Sequence, residues 1–61
     1  MITLFKTSTG WNARFSGAAA ETVEALFGTR TIPTAFTSQA PASDVQQFIA
    51  AQWPDCTVEV Q

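Results

Sequence analysis

The sequence predicts one small α+β domain over residues 1–61: a small sheet packed on one face by one or two helices. Three observations point there. Two period-2 stretches sit close together at the N-terminus, residues 2–7 and 11–16. A helical stripe over 41–53 is bounded by Pro41 and Pro54. A last alternating run, Cys56, Val58 and Val60 against Thr57 and Glu59, reads as a half-buried strand.

Residues 2–7 and 11–16 form the expected β-hairpin. Side-chain parity makes loop length decisive, because a one-residue slip moves a whole strand's side chains to the other face. A two- or four-residue loop around Ser8-Thr9-Gly10 sets Ile2, Leu4 and Lys6 on one face with Trp11, Ala13 and Phe15. A three-residue loop would set Trp11, Ala13 and Phe15 with Thr3, Phe5 and Thr7 instead. The even loop is favoured, since it leaves one face apolar and the other polar except for Phe5. Gly10 is the residue able to supply a positive φ.

Residues 18–27 read as a short helix, preferred over the competing strand. Ala19, Val23, Leu26 and Phe27 recur near the helical period, and Glu21 and Glu24 point outward. Ser16 is the expected cap and Gly28 the C′ residue. Residues 29–40 lack a helical period. Pro33 cannot donate a ladder hydrogen bond, so an irregular edge strand is expected, with 34–38 its paired part and Phe36 its anchor. In the helix at 41–53, Ser43 and Gln46 match a capping box and Asp44 sits at the positive end of the dipole. Val45, Phe48, Ile49 and Gln52 form its inward stripe, with Ala42 beside it and Gln46, Gln47 and Ala50 turned away. Val45, Phe48, Ile49, Val58 and Val60 are therefore expected to be buried with Ile2, Leu4 and Phe15. If the last strand pairs parallel to an earlier one, this helix is a crossover.

Composition bounds the function. Hydrophobic residues are 46% of the chain and charged ones 13%. Ten residues are alanine, and Ile, Leu, Val and Phe number 14. That is enough for a folded but thin core. With one Cys, no intramolecular disulfide is available; with no His besides, the usual metal-ligand sets are missing, and no metal or cofactor is expected. Gly10, Gly17 and Gly28 lie too far apart for a nucleotide-binding loop. No His exists to activate a Ser or Thr. Cys56 falls in phase with Val58 and Val60, where a lone thiol reads as a small hydrophobe rather than a nucleophile. Glu21 and Glu24 read as a solvated helix face. The expectation is a protein that is not an enzyme.

Three basic residues against five acidic ones give a formal charge of −2, which argues against a polyanion binder. The distribution is uneven: residues 1–20 carry +2 and residues 21–61 carry −4. No basic region with a following apolar run marks a signal peptide, and no stretch has the apolar length of a membrane helix. A cytoplasmic location and no membrane partner are expected.

One constellation has binding chemistry. Phe5, Lys6, Trp11 and Arg14 put aromatic and cationic side chains together on the hairpin, and Trp53 ends the second helix beside Pro54. Trp and Arg are over-represented at protein interfaces, and aromatics with cations also stack single-stranded bases. Against both stands the plainer reading, with Trp11 and Phe15 in the core and Lys6 and Arg14 lying over aromatic surface. That plainer reading weighs most. A protein partner or a second copy of the chain comes next, and single-stranded nucleic acid last.

The runs Trp11-Asn12-Ala13-Arg14-Phe15 and Phe27–Thr37, with the closing helix, Pro54 and Val58-Glu59-Val60, resemble short uncharacterised open reading frames of cyanobacteria and their phages. The resemblance spans most of the chain. It implies a free-standing small cytoplasmic protein and adds no catalytic residue.

Overall fold

In the computed structural model, which describes residues 1–61, Ser8 and Thr9 close a two-residue hairpin loop. Strand β1, Ile2–Thr7, runs antiparallel to β2, Gly10–Phe15. The register pairs Ile2 with Phe15, Leu4 with Ala13 and Lys6 with Trp11. The even loop thus holds, and it sorts the two faces as the alternation requires. Ile2, Leu4, Trp11, Ala13 and Phe15 are all buried on one side. Thr7 stabilises the turn: its hydroxyl donates to the Gly10 carbonyl and accepts from the Asn12 amide.

Helix α1 spans Ala18–Phe27 and ends at Gly28, whose left-handed φ of 76° lets its N–H reach the Glu24 carbonyl. Ser16 does not cap this helix. Gly17 occupies the cap position, and Ser16 instead extends the hairpin, with its N–H and hydroxyl both donating to the Met1 carbonyl. Ala20 and Val23 bury while Ala19 is half-buried, but the stripe does not continue: Leu26 is 70% and Phe27 59% exposed. The helix packs on β2, and its last turn runs past the sheet.

Strand β3, Thr31–Pro33, pairs antiparallel with β2 at one edge of the sheet. The regular ladder ends at Pro33, so the expected strand pairing over 34–38 is corrected: only Thr34 and Phe36 of that segment still bond the β2 backbone, both at Trp11. The reason is a bulge. Thr34 N–H donates to the Trp11 carbonyl while Trp11 N–H donates to the Phe36 carbonyl, so the three residues from Thr34 to Phe36 stand against Trp11 alone. Ala35, between them, takes a φ of 72°.

Helix α2 spans Ala42–Gln52. Pro41 is its cap residue, and the Pro41 carbonyl accepts from Asp44 and Val45 N–H. No capping box forms: Ser43 lies inside the helix, and the Gln46 amide donates to the Val58 carbonyl rather than turning away. Val45 and Ile49 are buried, but Phe48 is 47% exposed. Its ring rests edge-on against Phe36, centroids 5.4 Å apart, over the bulged segment rather than over the sheet. Strand β4, Val58–Val60, pairs parallel with β1 and gives the order β3-β2-β1-β4. Val58 is half-buried and Val60 39% exposed, because β4 has no neighbour on its outer side. The expected burial of Phe48 and Val60 is thereby corrected.

The result is a two-layer α+β fold. Nine residues form the core: Ile2, Leu4, Trp11, Ala13 and Phe15 from the sheet, Ala20 and Val23 from α1, Val45 and Ile49 from α2. Both helices lie on the side where Ile2 and Leu4 point. No helix is long and apolar enough to cross a membrane.

Candidate interaction face

A four-stranded sheet with both helices on one side leaves its other side uncovered. Alternation decides what stands there. β1 contributes Thr3, Phe5 and Thr7, β2 contributes Asn12 and Arg14, β3 contributes Thr31 and Pro33, and β4 contributes Glu59. On this ground of short polar side chains Phe5 is the one large apolar group. The Arg14 guanidinium lies 5.5 Å from its ring centroid, on the diagonal between neighbouring strands. Phe5 is half-buried and Arg14 exposed.

The five candidate residues separate into three places. Phe5 and Arg14 share the open face. Lys6 and Trp11 form a second cation–aromatic pair on the helix side, with Nζ 5.7 Å from the ring. Trp11 is only 5% exposed, and its indole N–H donates to the Ala40 carbonyl at 2.9 Å. It is thus a core residue that pins the 34–40 segment, while Lys6 lies over its rim. Trp53 caps the core rather than protruding: its ring meets Phe15 edge-on at 5.0 Å.

Other features have less to offer. A shallow cavity of about 150 Å³ lies between the hairpin end and the bulge, lined by Gly10, Trp11, Asn12, Ala35 and Phe36 among others. Ligand pockets run to roughly 300 Å³ and more. No three Cys, Asp or Glu side chains gather where a metal ion would sit. Glu24 accepts from Arg30 at 3.0 Å, and both side chains are more than half exposed, so the pair contributes little. Cys56 is half-buried, its N–H held by the Trp53 carbonyl.

One open-face residue escaped the sequence reading. Glu59 stands opposite Thr3, one strand beyond it from Arg14. Its phase between Val58 and Val60 was legible, but its neighbours depend on the parallel register. Compared with known proteins, the chain matches no family, no curated protein and no solved structure.

Proposed function

We propose that this chain is a small non-catalytic interaction protein that binds another protein, or a copy of itself, through the open face of its sheet. One observation carries the reading: Phe5 and Arg14 are paired on the side that the helices leave uncovered. A half-buried aromatic ring with a guanidinium on its face is the chemistry of an interface hot spot. The surrounding threonines and Asn12 supply the polar rim that such an anchor needs. We take the cytoplasm as its compartment, on the sequence grounds given above.

Single-stranded nucleic acid would use the same ring and the same cation. The two cation–aromatic pairs lie on opposite sides of the sheet, however, so Lys6 does not reinforce Arg14. That leaves one cation on the open face, which favours protein. The test is a titration of the Phe5→Ala/Arg14→Ala double variant against the species that co-purifies with the chain, at two salt concentrations. A protein partner predicts affinity weakened about tenfold or more with modest salt dependence. Unchanged affinity rejects the face. A steep fall in wild-type affinity with salt assigns the face to nucleic acid.

A further inference from the structure

We infer that the occupant of the open face is a second copy of this chain, stacked face to face about a two-fold axis that runs along β1. The inference rests on the reading that this face binds protein, and it names the partner. Its ground is the charge pattern of a single row across the sheet. The pairings align Thr31, Arg14, Thr3 and Glu59 on β3, β2, β1 and β4. Arg14 and Glu59 therefore flank Thr3, with backbones about 10 Å apart at the usual strand spacing. Neither is paired within the chain, whose single ion pair is Arg30 with Glu24.

A half-turn about an axis parallel to β1, in the plane between two stacked sheets, exchanges the places of β2 and β4. Arg14 of each copy then faces Glu59 of the other, and Thr3 and Phe5 face their own counterparts. An axis running across the strands would set Arg14 against Arg14 and Glu59 against Glu59. The charges thus select one of the two ways of stacking the face on itself. The contact is isologous, as closed dimers require. Both charges of each copy are matched, and the remaining side chains over β1 and β2 are uncharged: Thr3, Thr7, Asn12 and Phe5. Two sheets stacked this way keep their strands within about 30° of each other, roughly 10 Å apart, a gap that paired phenylalanine rings suit. Arg14 keeps its place on Phe5 while its guanidinium edge meets the facing carboxylate.

The size of the face sets the strength. The largest projection of the molecule, 29 × 21 Å, limits a flat face to about 600 Å² per copy, so the dimer buries at most ~1,200 Å², the low end of specific interfaces. A weak, reversible dimer follows.

Sedimentation equilibrium of the full chain, up to roughly 1 mM, tests this. The samples are wild type, Arg14→Glu, Glu59→Arg, an equimolar mixture of those two variants, and the double variant Arg14→Glu/Glu59→Arg. Both positions are exposed, and circular dichroism checks that each variant folds. Wild type should dimerise. Each single variant should associate at least about tenfold more weakly, because two like-charge contacts replace two ion pairs. The mixture should dimerise again, since each variant supplies the charge the other lacks, and so should the double variant. A wild type that stays monomeric overturns the inference, as does a single variant that dimerises unchanged or a mixture that gains nothing. Dilution of wild type, followed by amide shifts at Thr3, Phe5, Arg14 and Glu59, gives a reading free of any variant: shifts confined elsewhere overturn it. A monomeric wild type whose affinity for a different co-purified protein still falls in Phe5→Ala/Arg14→Ala removes the second copy and keeps the protein-binding reading.

Discussion

Trp11→Phe should be among the costliest conservative substitutions in the chain. The indole is 5% exposed, and its N–H holds the Ala40 carbonyl at 2.9 Å across 29 positions of sequence. Phenylalanine cannot make that bond, and losing it leaves a part-buried carbonyl unpaired, a cost of about 1–2 kcal/mol. The smaller ring also leaves a void of ~40 Å³, which costs about 1 kcal/mol at ~24 cal/mol per Å³. The total is about 2–3 kcal/mol, a large share of the ~3–9 kcal/mol that ~0.05–0.15 kcal/mol per residue allows. Thermal unfolding followed by far-UV circular dichroism should show Tm lowered by roughly 10–20 °C. Trp53→Phe is the internal control. Its ring is half-buried against Phe15 and its N–H has no partner within the chain, so the same chemical change should cost about 1 kcal/mol or less. Equal Tm losses for the two variants would refute the role given to the Trp11–Ala40 bond.

Gly10→Ala places a Cβ 2.5 Å from the Phe36 carbonyl oxygen at a φ of 140°, so it should cost about 2 kcal/mol or more in urea unfolding, whereas Gly28→Ala, at φ 76° in open space, should cost only about 1 kcal/mol. Ala35→Gly relieves a left-handed backbone and should raise the urea midpoint, by up to about 1 kcal/mol in stability. Val45→Ala empties a fully buried site and should cost about 2 kcal/mol, while Phe48→Ala, half-exposed on Phe36, should cost only about 1 kcal/mol; a larger loss at Phe48 than at Val45 contradicts the burial described for α2.

What could be read in advance followed period and parity. The hairpin register needed only the alternation of Ile2, Leu4 and Lys6 with Thr3, Phe5 and Thr7 and an even loop, and that alone puts Phe5 and Arg14 on one face. Gly28 marked its helix end because a left-handed residue there asks for glycine. Helical period, by contrast, says which side of a helix is apolar and not how far the surface beneath it extends. Leu26, Phe27 and Phe48 all lie on apolar stripes, yet each stands where the narrow sheet has already ended. The segment after Pro33 misled for a different reason. Strand pairing was expected beyond the proline, but Thr34 and Phe36 close around Trp11 with Ala35 left-handed, a conformation that no propensity assigns to alanine. Glu59 joined the open-face row only through β4's parallel pairing with β1, a long-range contact that local pattern does not contain.

One side of the sheet is built as core, and the other has the proposed binding role. Amide-shift mapping of the labelled chain tests it most directly, by concentrating the chain alone and by adding its co-purified partner. Thr3, Phe5, Asn12, Arg14 and Glu59 should move together in at least one of these titrations, while Val23, Leu26, Phe27 and Val45 on the helix side stay in place. Movement centred on Leu26 and Phe27, with the Phe5–Arg14 row unmoved, would contradict the account and shift the binding surface to the free end of α1.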